Sequence, residues 1–500
     1  MSTNYLDNYY ARLGISKTAT LDEIQRAYRG AARQFHPDTN KKTGANELFL
    51  LVQEAYNTLS QPDKRREYDA SLPEDIEPPP ALMVNALYSR SQVTPGEANQ
   101  VIYVLLDLMP TQNEGERRRA KPPLNLCLVL DTSTSMAGSR LAQVVKAATH
   151  FIQELHKQDI VAVVAFNDRA ELVIPSQRGQ DVQRLIAHLS TLQTRGGTEM
   201  YQGLKAGLKE VQRNLRANSV NHIILITDGR TYGDEENCLR LAEQAAEQGV
   251  PISAIGIGEE WNEDFVDRLT AKAGGSSLYA DRGAEIQKLL ERQLKTLNQI
   301  YANNVKLHFE TGPQCNLSYA FRLSPDLAAL APDSPLFLGI IPLENSLAAL
   351  LEFEVDASRL KNGEILLAEG ELRLDIPSRL IPSSKARFRL SRPVFENLKP
   401  ESPPHALLNA IGKLSLYRMQ EQARQDLESG DTKGAAKRMR MLATHLLSAG
   451  EKGLAKTVLL TAEDLKAGVG LGEKSGKQIK YGTRALIGLD EKPARKRGKR

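Results

Sequence analysis

The chain of 500 residues is short of cysteine, of long apolar runs and of any strong excess of charge. Its three cysteines, Cys127, Cys238 and Cys315, are odd in number and far apart, which argues against a disulfide framework and a zinc ribbon. A reducing, cytoplasmic compartment is the expectation that follows. No stretch of about 18 apolar residues occurs. The best candidate, Leu336 to Leu351, is interrupted by Gly339, Pro342, Glu344 and Asn345, so no membrane span is expected. The start, Met-Ser-Thr-Asn-Tyr-Leu-Asp, lacks the basic and apolar stretches of a secretory signal. Nucleotide-binding signatures are missing too: Gly256-x-Gly258 lacks a third glycine and runs into Glu259-Glu260, which would repel phosphate. No nucleophile elbow and no cysteine beside a placed base is evident, so enzymatic catalysis is not expected.

The net charge of +4 is unevenly spread. The last ten residues hold six Lys/Arg and one Glu, which leaves the other 490 residues at −1. The body therefore has no basic balance suited to nucleic acid, and the end reads as a solvated tail. With 41% hydrophobic and 25% charged residues, the composition is that of an ordinary globular chain. The length suits two to four domains of about 100–200 residues each.

The chain divides by pattern. Residues 1–72 are charged and helical, and 73–82 form a spacer stiffened by Pro78-Pro79-Pro80. Strand-like alternation occupies 83–121 (Val84, Ala86, Tyr88, then Val101, Tyr103, Leu105) and returns over 303–397 (Val305, Leu307, Phe309; Leu351, Phe353, Val355; Leu372, Leu374, Ile376). Between them, over 122–302, apolar strands alternate with amphipathic helices, as in a parallel α/β sheet. Residues 403–467 read as helical, with an echo between Leu427-Glu-Ser-Gly-Asp and Leu447-Ser-Ala-Gly-Glu, and 468–500 as a basic tail. A helical hairpin docked on the body is the plain reading of that echo, since one repeat is too few for a solenoid.

In the first segment, Leu21, Ile24, Tyr28, Ala31, Ala32 and Phe35 share one helical face, and Arg26, Arg29 and Arg33 the opposite one. Thr20 and Glu23 form a capping box. Pro37 ends the helix near Phe35, because it disfavours helical geometry at His36. A second helix carries Leu48, Leu51, Val52, Ala55 and Leu59. With Tyr9-Tyr10-x-x-Leu13-Gly14 upstream and Asp63-Lys-Arg-Arg-x-Tyr68-Asp69 downstream, His36-Pro37-Asp38 resembles the tip of the J-domain of DnaJ-type co-chaperones. The resemblance implies docking on a DnaK-class chaperone through His36, Pro37 and Asp38. Arg26, Arg29 and Arg33 would steer toward an acidic surface. Gln34 stands where the family often has a basic residue.

In the α/β segment, the apolar run Leu124–Leu130 ends in Asp131-x-Ser133-x-Ser135. Gly196-Gly197-Thr198 precedes a helix and Thr227-Asp228-Gly229 follows a strand. Such sheets bind ligands at strand carboxyl ends, where these motifs would cluster. Two carboxylates and three hydroxyls suit a hard cation, Mg²⁺ or Mn²⁺, rather than zinc. The three motifs in this order resemble the von Willebrand factor A domain and its metal-ion-dependent adhesion site. The resemblance implies direct metal bonds from Ser133, Ser135 and Thr198, with Asp131 and Asp228 acting mostly through water. Thr134 stands where bacterial relatives often have glycine.

The expected architecture is multidomain: a helical-hairpin J-domain, a doubly wound (Rossmann-like) A domain inserted in a β-sandwich, and C-terminal helices. The expected function is a non-enzymatic co-chaperone or adaptor that recruits a DnaK-class ATPase to a client bound through an acidic residue at the metal. The alternative is a scaffold or subunit of a metal- or ATPase-linked assembly, with the J-domain accessory.

Overall fold

A computed structural model describes residues 8–15, 17, 19–35, 45–72, 82–110, 121–178, 182–231, 233–379, 382–397, 402–448, 451–467 and 473–488. The chain forms two compact units, one of residues 1–122, 299–411 and 489–500, the other of 123–298 and 412–488.

The first unit opens with four helices, α1 (Tyr9–Leu13), α2 (Leu21–Phe35), α3 (Ala45–Leu59) and α4 (Pro62–Ser71). The capping box forms as expected: the Thr20 backbone N–H donates to Glu23 Oε2 at 2.7 Å, and the Glu23 N–H to Thr20 Oγ1 at 3.3 Å. Helix α2 runs to Phe35. Ile24, Ala31, Phe35, Val52, Ala55 and Leu59 make the shared core, and Tyr28 stacks on Tyr56 with ring centroids 4.1 Å apart. Leu21, the first residue of α2, departs from the expected stripe and is 45% exposed. The C-terminal signature residues are structural. Arg65 donates to Tyr10 Oη and to the carbonyls of Lys17 and Ala19, while Tyr10 Oη donates to Asp69 at 2.6 Å.

Two antiparallel sheets complete this unit. One has the order β1-β2-β13-β10-β11 and the other β12-β9-β14-β15. β1 (Leu82–Tyr88) and β2 (Gln100–Pro110) precede the α/β segment; β9 (Ile300–Thr311), β10 (Cys315–Ser324), β11 (Ala328–Leu330), β12 (Leu336–Pro342), β13 (Leu347–Val355), β14 (Gly363–Asp375) and β15 (Ser383–Val394) follow it. The early hairpin reaches its sheet through β2 and β13, which pair Leu108 with Leu347 and Val104 with Leu351. Both sheets share one apolar core, so the α/β segment is an insertion in a β-sandwich. The inward residues of β2 are Ile102, Val104, Leu106 and Leu108, while Val101 is 38% exposed. The opposite alternation was expected; a run apolar on both faces leaves its phase open. The other face of this hairpin is covered as well, since Met83 and Met109 join the core of the helical domain.

In the second unit a six-stranded sheet runs β5-β4-β3-β6-β7-β8. β3 (Leu124–Asp131), β4 (Ile160–Phe166), β6 (Val220–Thr227), β7 (Ile252–Ile257) and β8 (Ser277–Ala280) are parallel, and β5 (Ala170–Gln177) is an antiparallel edge. β3, β4, β6 and β7 are buried along their whole length, which explains their largely apolar sequences. The three cysteines are free and buried.

Among the described residues, four helices follow the sandwich: His405–Glu428, Thr432–Ser448, Lys452–Lys466 and Glu473–Gly488. The last corrects the reading of 468–500 as a tail throughout. Its Lys477 is 1% exposed and donates to the Glu259 carbonyl. Lys480 pairs with Asp264 and Asp267 at 2.9 and 2.8 Å, and Arg484 with Asp267 at 2.6 Å. Tyr481 packs against Trp261 and Tyr279, with centroids 5.8 and 5.6 Å away. Lys477, Lys480 and Arg484, in the stretch read as Gly- and Lys-rich, are thus the docking face of a helix.

Burial would raise the Asp267 carboxyl, but Arg484 and Lys480 outweigh it and hold the group well below the usual carboxylate range. A depressed carboxyl contributes stability above its unfolded pKa of about 3.9 and loses it as pH falls toward the folded value. Below about pH 4, or in Asp267→Asn at neutral pH, hydrogen exchange in the helix Glu473–Gly488 should accelerate ahead of the central sheet. The substitution should cost about 2 kcal/mol, less than for a fully buried pair because Asp267 keeps some exposure. Unchanged exchange in that helix would mean the ion pairs do not hold it.

Candidate functional site

The cleft lies where strand order reverses. β3 is flanked by β4 and β6, so the loops leaving their carboxyl ends part and open a crevice. Its volume is about 440 Å³, and it is lined by Ser133, Thr134, Ser135, Gly196, Gly197, Thr198, Gly229, Arg230 and Glu260. Asp131 and Asp228 lie fully buried behind these loops.

Asp131 ends β3. Its Oδ1 accepts from the Ser133 N–H at 2.8 Å and its Oδ2 from Thr227 Oγ1, on the neighbouring β6, at 2.6 Å. Burial pushes its carboxyl up to about 6, against the pull of these hydrogen bonds. Asp228 Oδ1 accepts from Ser135 Oγ at 2.6 Å, and Ser135 Oγ lies 3.0 Å from Ser133 Oγ. Thr198 is 8% exposed, and its carbonyl accepts from Thr231 Oγ1 at 3.3 Å. The five residues singled out from the sequence thus meet in one place, from three chain segments.

The residue set fits a hard divalent cation. All donors are oxygens, and two buried carboxylates lie together, one with its proton affinity raised by burial. Gly229 leaves the needed space: a Cβ there would sit 3.2 Å from Thr198 Oγ1 and 3.7 Å from Asp131 Oδ2, between the donors. Among the described residues no cluster of three or more His, Cys, Asp or Glu is placed to hold a metal, so a site built on nitrogen or sulfur has no support there.

Three contacts of the cleft escaped the sequence. Thr134, where a glycine was the usual pattern, donates through Oγ1 to the Gly196 carbonyl at 2.8 Å and ties the first loop to the second. Asp168 accepts from the Gly197 N–H at 2.6 Å and packs so close to Gly196 that a Cβ there would lie 2.2 Å from its Oδ2. These two glycines are required by that approach, and Gly196 also by its φ of +71°. Third, Arg140 Nη1 donates to Asp228 Oδ2 at 2.6 Å and to the Ser135 carbonyl at 3.2 Å. A cation in the first turn of a helix, against the macrodipole, was the available signal.

On α2, Arg26, Arg29 and Arg33 are exposed along one side, with Arg26 and Arg29 each donating to the carbonyl four residues earlier. His36, Pro37 and Asp38 lie outside the described residues. No described helix is long and apolar enough to cross a membrane.

Comparison with known proteins bears on both regions. Residues 8–69 match the DnaJ domain, 125–292 the von Willebrand factor type A domain, and 405–489 the Sll0103-like C-terminal alpha-helical domain. Domains of the second kind often bind a metal at the corresponding loops. The chain is 29% identical over 328 residues to the uncharacterised protein sll0103 of Synechocystis, across 63% of this chain and 76% of that one. It is 55% identical over 62 residues to the chaperone protein DnaJ of Listeria monocytogenes, across 12% of this chain and only 16% of that one. Among solved structures, a von Willebrand factor type A protein from Catenulispora acidiphila superposes with a TM-score of 0.65 at 15% identity, covering 81% of this chain and 96% of that one. The chain joins a DnaJ domain to a von Willebrand factor type A domain set in a β-sandwich, in a protein similar to sll0103.

Proposed function

We propose that the protein is a non-enzymatic adaptor whose J-domain stimulates a DnaK-class ATPase while its A domain binds a protein client through a divalent cation. The observation that carries this reading is the meeting of Asp131, Ser133, Ser135, Thr198 and Asp228 at one open crevice, in a chain that also bears a DnaJ domain. A J-domain in general implies a DnaK-class partner. Ser133, Ser135 and Thr198 would hold Mg²⁺ or Mn²⁺, with Asp131 and Asp228 orienting the hydroxyls and balancing charge. When bound, the cation supplies a Lewis-acidic position for a carboxylate of the client. Hydroxyls are weak donors, so such a site retains affinity for one further anionic oxygen. The cleft mouth, with Arg230 and Glu260 at its rim, is open enough to admit a side chain. The working compartment in this reading is the cytoplasm, where DnaK-class chaperones and millimolar Mg²⁺ coexist.

For the chaperone arm, His36→Gln in the full chain should remove stimulation of a DnaK-class ATPase and leave the melting temperature unchanged. Stimulation by this variant equal to wild type would contradict docking through the tripeptide.

The basic side of α2 carries a second expectation. Arg29→Glu should slow association with the chaperone, and wild-type binding should weaken with salt, since the Debye length is about 8 Å at physiological ionic strength. Binding indifferent to both would make the arginines a solvated face.

For the metal arm, Mg²⁺ at about 100-fold excess over its Kd should add about 2.7 kcal/mol to stability, read as a rise in melting temperature. Asp131→Ala should abolish that rise together with client capture, and Ca²⁺ should substitute poorly because it prefers more oxygen ligands at longer distances. A melting curve unmoved by millimolar Mg²⁺ or Mn²⁺ would defeat the metal reading.

A further inference from the structure

Arg140 occupies a position that helix physics disfavours. It is the second residue of the helix Ser139–Gln153, where the macrodipole and the unpaired N–H groups favour anions. What holds it there is Asp228, a carboxylate with no exposed surface, whose Oδ2 accepts from Nη1 at 2.6 Å. The same nitrogen donates to the Ser135 carbonyl at 3.2 Å, so the guanidinium grips both the first and the third loop of the cleft.

With Arg140 in place, the crevice is satisfied without any other cation. Asp131 has a donor on each oxygen, Asp228 has Ser135 on one and Arg140 on the other, and the two serine hydroxyls face each other. A divalent ion entering this set would meet a positive charge already bound to one of its two carboxylates. Arg140 is 39% exposed on its side chain, so it is free to swing toward solvent as the ion enters.

We propose that Arg140 is a built-in counter-cation that competes with the divalent metal for Asp228. It keeps the metal-free cleft folded and sets the metal affinity, and so the ion concentration at which a client is captured. This rests on the metal reading given above. The consequence is a site deliberately weaker for its ion than its donor set allows, since ion entry must separate a short ion pair. Once the ion is bound, the displaced guanidinium adds a second positive group beside the open position, which favours an acidic client side chain.

The test is Mg²⁺ titration of the full chain by calorimetry, in wild type and in Arg140→Gln, with Arg140→Met as a second neutral replacement and Arg140→Lys as a charge-keeping control. Removal of one like charge within a few ångströms of the ion should tighten Mg²⁺ about tenfold in both neutral variants. The lysine variant should stay within about threefold of wild type. In the absence of metal the neutral variants should melt below wild type, because Asp228 loses its ion pair, and added Mg²⁺ should close most of that gap. Affinity equal to or weaker than wild type in the neutral variants overturns the competition while leaving the metal site standing. No Mg²⁺ uptake by wild type or any variant overturns the metal reading and the competition together.

Discussion

The structure of the α/β unit turns on two buried carboxylates. Asp131 and Asp228 lie with no exposed surface at the ends of neighbouring strands, held by Thr227, Ser133 and Ser135 from three sides. Two like charges out of contact with solvent are costly, and burial first, with the neighbouring Asp228 adding to it, raises the proton affinity of Asp131 against the pull of its hydrogen bonds. The fold tolerates them only where loops part at the reversal of strand order and where a cation can approach. Arg140 meets that demand in the structure as it stands, and a divalent ion would meet it more strongly.

Much of this was legible in the sequence because the governing constraints are local. A proline two residues past Phe35 and a capping pair at Thr20 and Glu23 bracket α2 in the sequence, and the capping pair forms in place. Two of the cleft motifs could be placed at strand ends because fully buried parallel strands are mostly apolar, which makes Leu124–Leu130 and His222–Thr227 visible as runs. The α/β insertion between two stretches of strand-like alternation was likewise readable, since two early strands cannot cover their own edges.

What stayed hidden depends on tertiary pairing. The phase of β2 was missed because Val101–Leu108 is apolar on both faces, and only the helical domain packed on its outer side explains why. The helix Glu473–Gly488 reads as a Gly- and Lys-rich tail because its stabilising partners, Asp264, Asp267 and Trp261, lie more than 200 residues earlier. Arg140 looked like any surface arginine for the same reason, its anion being 88 residues away. Met83, with Met109 packed beside it, joins the core of the DnaJ domain, so that domain and the outer face of the early hairpin share one apolar cluster.

The central claim is that the meeting of the three loops is a cation site. It is tested most directly by counting Mn²⁺ bound to the full chain by electron paramagnetic resonance, before and after Thr198→Ala. That substitution removes one hydroxyl without altering any charge. The account predicts one Mn²⁺ per chain, displaced by Mg²⁺, and its loss or marked weakening in the variant. No bound Mn²⁺, or the same occupancy in the variant as in wild type, would contradict it.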